Sequence, residues 1–560
     1  MGYLTKRYWL ILGVLGLFLL GISLVGLSQK DGSIPRIPPK ERNFDADRDG
    51  VFDNLQSQLA TAQAEDEFDI IVLFKDDFPG LDHKKLPHDL KKSLGDFKIK
   101  HIYDNIKAFA GSMKKVQIEE LKNLPFVKQV EPDLEVTAFM STASNYYGAT
   151  KARTDFGVTG NMDGSETTYS KNDVVVAVID TGIYTGHVDL DGGKVIAWKD
   201  YVNGRTSPYD DNGHGTHVSG IIAGTGEGNS AYRGVAPGAA LIGLKVLNAS
   251  GSGTTSNIIA AVDWCITNKS TYNIRVINMS LGSSGSSDGT DTLSQAVNNA
   301  YNNGIVPVVA AGNSGPARYT IGSPAAAANA ITVGSMADPG EQGFFISSFS
   351  SRGPTADGRI KPDLVSPGHN ITSCGRSSST SYVTMSGTSM ATPFTAGIVA
   401  LMIDANPSIT PSSVKSILKS TTIDWGPSGA DIDFGSGRLQ GYEAVKQAGG
   451  FSGTGPTVPL HYYASGSLSG TGAYQDHSLS VTSTTFPIAV TLIMPNWSSS
   501  TNPDFDLYLY NPSGTLVAKS EGTTRQETVT YTPASTGTYK IRVKSYTGSG
   551  SYFIDVSANK

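Results

Sequence analysis

Cysteine is nearly absent: Cys265 and Cys374 are the only two in 560 residues. At most one disulfide is available, and sequence separation does not say whether its geometry is allowed. Cys265 sits in an apolar helical pattern with Ile258, Ile259, Val262 and Trp264 and reads as a buried thiol; neither cysteine has a nucleophile's setting. Charge is also sparse. Charged residues make up 17% and the formal net charge is -6, which gives no basis for nucleic-acid binding. His214 and His217 stand close together, but no glutamate joins them in a His-Glu-x-x-His arrangement, so no catalytic metal is expected.

One long apolar run stands out. Tyr8 to Leu27 follows Lys6 and Arg7 and precedes Ser28-Gln29-Lys30, the charge-then-apolar order of an export signal. The run almost reaches spanning length, so it is either a signal cleaved near Ser28, the favoured reading, or an uncleaved anchor. Both readings deliver the remainder outside the cytoplasm and limit membrane contact to this segment.

Pro35 to Pro39 is a proline-rich linker. Asp45-Ala46-Asp47-Arg48-Asp49-Gly50-Val51-Phe52-Asp53 places carboxylates on alternate residues before a turn glycine, like the start of a calcium loop. It lacks the closing glutamate of an EF-hand, a solvated acidic turn fits equally, and the stretch stays unassigned. From Phe68 to Val136 the apolar patterns give a β-α-β-β-α-β order, which is ferredoxin-like. Between Asp173 and Gly450 apolar strands (Val174 to Ile179, Leu241 to Val246, Val276 to Met279, Val306 to Ala310, Ala330 to Val333) alternate with helices. That predicts an α/β fold, a mainly parallel sheet with helices on both faces and a site at the strands' carboxyl ends. The last part is rich in Ser, Thr, Tyr and Gly with short alternating runs, as in an all-β jelly roll. The expected division is 1–28 signal, 29–62 linker, 63–140 α+β unit, 141–450 α/β unit and 451–560 all-β unit.

Three residues in this frame carry chemistry. Asp180 ends an apolar strand, His214 opens a helix in Asn212-Gly213-His214-Gly215-Thr216-His217, and Ser389 opens another in Ser386-Gly387-Thr388-Ser389-Met390-Ala391. A serine becomes a nucleophile when an imidazole takes its proton, and a carboxylate must hold that imidazole in one tautomer. Val178-Ile179-Asp180-Thr181-Gly182, His214-Gly215-Thr216-His217, Ala310-Ala311-Gly312-Asn313-Ser314-Gly315 and Gly387-Thr388-Ser389-Met390-Ala391, in that order, resemble the subtilisin family of serine proteases (subtilases).

The resemblance implies an endopeptidase with Asp180, His214 and Ser389 as the triad and Asn313 as oxyanion donor. It implies a peptide-binding edge at Ser280, Leu281 and Gly282, an opposing edge at Gly251 and Gly253, and a specificity wall including Ala311 and Gly312. With no fixed charge there, broad cleavage after apolar or large residues is expected. The 63–140 unit resembles the family's propeptide, an intramolecular chaperone and inhibitor cut off around Met140 to Ala143. Gly224 to Tyr232, where many subtilases hold calcium, offers one carboxylate, which puts calcium there in doubt. The tail resembles calcium-binding β-jelly-roll domains of secreted proteases, with Gln475, Asp476, Asp504 and Asp506 meeting across adjacent strands as structural calcium ligands. The partners expected are protein or peptide substrates and the chain's own propeptide, in a monomeric secreted enzyme. An α/β-hydrolase esterase fails on order, because both triad partners precede the serine. A binding scaffold without activity would not need the triad.

Overall fold

The computed structural model describes residues 45, 49–75, 78, 82–133, 135–136, 144–497 and 503–560. The export segment, the Pro35 to Pro39 linker, part of the Asp45 to Asp53 stretch and the expected cut at Met140 to Ala143 lie outside the described residues.

The N-terminal unit runs α1 (Asp53–Leu59), β1 (Glu67–Phe74), α2 (Leu86–Leu94), β2 (Lys98–Ile102), β3 (Ala108–Lys114), α3 (Lys115–Leu121), β4 (Val127–Pro132) and β5 (Glu135–Val136). Its four-stranded antiparallel sheet has the order β2-β3-β1-β4, the ferredoxin-like arrangement expected. The unit starts earlier than residue 63. Val51, Leu55 and Leu59 are buried in the same cluster as Ile70, Val72 and Phe109, so the last part of the expected linker belongs to this core.

In the central unit α4 (Ala149–Phe156) precedes β6 (Val175–Asp180), β7 (Val195–Asp200), α5 (His214–Ala223), β8 (Ala240–Lys245), β9 (Gly253–Thr254), α6 (Thr255–Thr267), α7 (Lys269–Tyr272) and β10 (Ile274–Met279). Then follow α8 (Thr292–Asn302), β11 (Val306–Ala310), β12 (Ile331–Met336), β13 (Leu364–Pro367), β14 (Ile371–Cys374), β15 (Tyr382–Met385), α9 (Thr388–Ala405), α10 (Pro411–Ser420) and α11 (Gly441–Gly449). Seven strands form one parallel sheet in the order β13-β12-β11-β10-β6-β8-β7. β6 reads Val-Val-Ala-Val-Ile-Asp and is buried throughout; branched apolar residues on both faces suit a strand covered on both sides. Apolar cores fill the two faces, one packing against α5 and α9, the other against α6 and α8. Residues Ile71, Leu73, Tyr103 and Ala110 of the N-terminal unit join the second core. Among the described residues α9 is the one helix long and apolar enough to cross a membrane, and it is the buried core helix behind the sheet.

The C-terminal unit is a sandwich of two four-stranded antiparallel sheets, β16-β23-β18-β21 and β17-β22-β19-β20. Its strands are β16 (Leu460–Leu468), β17 (Tyr474–Val481), β18 (Ile488–Ile493), β19 (Asp504–Tyr510), β20 (Leu516–Ser520), β21 (Gln526–Tyr531), β22 (Gly537–Thr547) and β23 (Gly550–Ala558). Inward residues of both sheets, including Leu479, Val490, Leu507, Val543 and Ile554, make its core.

Candidate active site

The carboxyl ends of β6, β8, β10 and β11 meet in one place, where an open parallel sheet presents its binding crevice. Asp180 is the last residue of β6 and is 1% exposed. Its Oδ1 accepts from Thr181 N at 2.7 Å and from His214 Nδ1 at 2.6 Å. With the hydrogen on Nδ1, Nε2 is the basic nitrogen of the ring. His214 begins α5 after Gly213, whose φ of 111° lies in the left-handed region that glycine tolerates.

Asp210 organises that entrance. Its Oδ1 accepts from Thr181 Oγ1 at 3.0 Å, Asn212 N at 3.0 Å and Gly213 N at 2.8 Å, and its Oδ2 from Thr216 N at 2.9 Å and Thr216 Oγ1 at 2.7 Å. Lys245, at the end of β8, is fully buried. Its Nζ donates to Thr181 O at 2.5 Å, Asp211 Oδ1 at 2.6 Å and Leu247 O at 2.8 Å. One cation therefore ties the loops that carry Asp180, His214 and the β9 edge. Neither residue was identified from sequence; for Lys245 a charged residue closing an otherwise apolar strand was the available sign. His217 donates from Nε2 to Val383 O at 2.9 Å. Burial lowers its pKa to about 3, so it stays neutral.

Ser389 is the second residue of α9 and is 2% exposed. Pro393 stands four residues on within the helix and has no N–H to offer the Ser389 carbonyl. Ser280 Oγ takes that place, donating to Ser389 O at 2.7 Å, while Ser389 Oγ donates to Ser280 O at 3.1 Å. The proline thus leaves an acceptor that fastens the Ser389 backbone to the end of β10. Asn313 follows β11. Its Oδ1 accepts from Thr388 N at 2.9 Å and Thr388 Oγ1 at 3.1 Å, which fixes the amide's orientation and makes Nδ2 the donor available to a reacting oxygen.

A cavity of about 140 Å³ opens here, lined by Leu281, Gly282, Ala310, Gly312, Asn313, Ser314, Thr320, Ser351 and Ser389 among others. None of its lining side chains is charged. Of the expected wall residues Gly312 lines it, whereas Ala311 is buried behind it. Ser280 lies beneath the serine as its backbone anchor. On the opposing edge Gly251 turns with φ 78°, and Gly253 pairs antiparallel with Val136 while Thr254 pairs with Glu135. The chain of the N-terminal unit therefore enters the crevice as an added strand, the usual way an extended peptide is held by a sheet edge.

The same unit is fastened behind the crevice. Glu131 accepts from Thr292 N at 2.9 and 3.0 Å, at the start of α8. Asp133 accepts from Ser256 N at 2.6 Å and from the Ser256 hydroxyl, at the start of α6. Both carboxyls face N–H groups that a helix start leaves without partners. In return Asp263 accepts from Asp104 N at 2.9 Å and Asn105 N at 2.6 Å.

One metal expectation changes. Gln475 and Asp476 do not meet Asp504 and Asp506 across adjacent strands, because β22 runs between β17 and β19. Asp476 is taken by Arg542 at 2.6 and 2.8 Å, and Gln475 Oε1 accepts from Tyr552 OH at 2.9 Å. Asp504 and Asp506 instead share their surroundings with Glu527. Burial raises all three carboxyls, and the neighbouring charges raise Asp506 and Glu527 further. In the central unit His187, Asp189 and Cys374 form a buried group. Asp189 accepts from Gly228 N at 3.0 Å and Tyr382 OH at 2.9 Å, and His187 is bonded at both ring nitrogens. These protein donors occupy the carboxylate beside the Gly224 to Tyr232 loop. Cys265 and Cys374 are both buried and unbonded to each other.

Comparison with known proteins agrees with this geometry. Residues 171–442 match the subtilase family, 46–117 the Tk-SP N-propeptide domain and 473–545 the bacterial pre-peptidase C-terminal domain. The chain is 45% identical to serine protease AprX of Bacillus subtilis over 298 residues, covering 49% of this chain and 66% of that protein. It is 39% identical to subtilisin DY of Bacillus licheniformis over 262 residues, covering 46% of this chain and 87% of that protein. With the thermostable alkaline protease of Halalkalibacterium halodurans it shares 34% over 326 residues, 58% of this chain and 80% of that protein.

Proposed function

From the premise that this chain belongs to the subtilase family and is a serine protease with an N-propeptide domain, we propose that it is a secreted endopeptidase that cuts itself free of that domain. The observation that carries this reading is the strand pairing of Glu135–Val136 on Gly253–Thr254, which sets these two propeptide residues on an edge of the crevice that holds Asp180, His214 and Ser389. The signal-like Lys6-Arg7 and Tyr8 to Leu27 segment supports export, and the parts are a signal (1–28), a propeptide reaching to about 140, a catalytic domain (141–450) and a jelly roll (451–560).

Catalysis follows from the roles of these side chains. Ser389 Oγ turns its proton from the Ser280 carbonyl to His214 Nε2 and attacks the peptide carbonyl, forming an acyl-enzyme. Asp180 holds the imidazole and stabilises its cationic form. Asn313 Nδ2 and the Ser389 N–H receive the developing oxyanion. His214 then hands the proton to the departing amine, and water releases the acyl group by the reverse path. The uncharged cavity beside Gly312 suits apolar or large residues before the cut, and pairing through the Ser280 to Gly282 and Gly251 to Gly253 backbones reads little sequence.

Calcium in the C-terminal domain is proposed at Asp504 and Asp506 with Glu527, rather than with Gln475 or Asp476. Asp504 is 8% exposed and its Oδ1 is buried without a hydrogen-bond partner. A hard dication suits such crowded carboxylates. Chelation should lower the melting temperature of wild type and not of Asp504→Asn; equal transitions would remove the proposal.

Mass spectrometry of wild type beside Ser389→Ala after refolding tests the main reading. Wild type should lose its N-terminal unit and the variant should stay whole. Processing that survives the substitution would mean that another protease does the cutting.

A further inference from the structure

The turn between β14 and β15 carries an exposed arginine, Arg376, beside the catalytic histidine. Its Nε donates to the Asn212 carbonyl at 2.8 Å. Its aliphatic stem lies over Gly213, where an added Cβ would come within 3.2 Å of Cγ and Cδ. Asn212 is thus held from two sides: its side-chain amide donates to Ala249 O at 3.1 Å, on the loop leading to β9, and its carbonyl holds Arg376.

Those two flanks differ in what they meet. The β9 side pairs with chain that precedes the cut. The chain that follows the cut departs as an amine protonated by His214, so it leaves past the histidine on the side away from β9. Among the described residues no carboxylate is paired with Arg376, and those of the site have other partners. Asp180 is bonded to His214, Asp211 to Lys245, and Asp210 to Thr181, Thr216 and the backbone of its own loop. With Nε committed to the Asn212 carbonyl, this exposed side chain keeps its two Nη groups for a further partner, and a planar guanidinium suits a carboxylate.

We propose that Arg376 makes this protease favour acidic side chains just after the scissile bond. The inference rests on the endopeptidase reading above and gives it a substrate class. It is tested with the matured protein and paired internally quenched peptides, identical up to the cut and carrying Glu or Gln in the two positions after it, with the cut bond verified by mass spectrometry. The readout is the ratio of kcat/KM for the Glu peptide to that for the Gln peptide, so any general loss of activity cancels. Wild type should favour Glu by roughly two- to fivefold at low salt, the size of an exposed ion pair, and the preference should fade as salt is raised. Arg376→Gln should bring the ratio to about one and Arg376→Lys should restore part of it. Equal ratios in wild type and Arg376→Gln would overturn the assignment. Hydrolysis of neither peptide by wild type would overturn the endopeptidase reading itself, and the assignment with it.

Discussion

The catalytic domain is gripped from two sides, and the grips differ in kind. The propeptide domain brings carboxyls to neutral partners: Glu131 and Asp133 face backbone N–H groups at the starts of α8 and α6. Were that domain released, as proposed, the catalytic domain would keep two helix starts that water satisfies readily. The C-terminal domain brings a buried cation. Arg525 meets Asp433 at 2.5 and 2.9 Å, and Asp433 also holds Arg352 at 3.0 Å, whose other nitrogen reaches Gln526 at 2.6 Å. Both arginines are fully buried and Asp433 is 2% exposed. Pulling that domain away would break a buried ionic network, which is costly because charges lose partners without the best hydration. One attachment is chemically suited to release and the other to permanence.

The strongest test of this contrast is Asp433→Ala. It leaves Arg352 and Arg525 facing each other inside the protein, and a loss of about 3–5 kcal/mol is expected. Denaturant unfolding of the matured, inhibited enzyme measures it; a loss under about 1 kcal/mol would place the network among weak surface pairs. A smaller effect is expected from Asp133→Ala in a Ser389→Ala precursor, about 1–2 kcal/mol for a lost helix-start acceptor. Matured enzyme derived from Asp133→Ala in the active background should unfold where wild type does. A change in the matured midpoint would mean that the propeptide leaves a lasting imprint, and the contrast would fail.

The central sheet was legible because each of its inner strands is a run of branched apolar residues, and the crevice followed from where those runs end. Asp180, His214, Asn313 and Ser389 announced themselves through short glycine-rich surroundings. What stayed hidden depends on partners distant in sequence. Helix α1 is 7 residues long, too short for a periodic pattern, and only packing on β4 gives its leucines a purpose. Lys245 reads as a polar strand end until three loops close over its ammonium group. The error at Gln475 and Asp476 has the same origin. Alternation tells which residues share a face of a strand, but strand order in an antiparallel sandwich is set by long-range pairing, and β22 begins 63 residues after β17 does, far beyond the few residues of a typical strand over which a local pattern can be read.

The finest test concerns acidity at the releasable grip. Glu131 is 2% exposed; burial pushes its carboxyl well above the usual range, and the charge of Asp291 beside it adds to the shift. A carboxyl whose pKa is raised in the bound state binds its proton more tightly there than when released. Attachment through this group is therefore fully present below the released-state value of about 4.3, and it is lost as pH climbs from there through the raised value. Raising the pH should loosen the propeptide and shorten the lag before activity appears, once each rate is normalised to fully matured enzyme at the same pH. Glu131→Gln keeps an acceptor for the Thr292 N–H but cannot titrate, so its lag should vary less with pH over the same window. If the two lags follow the same pH curve, release is governed by some other contact, and the neutral-partner grip loses its role in timing maturation.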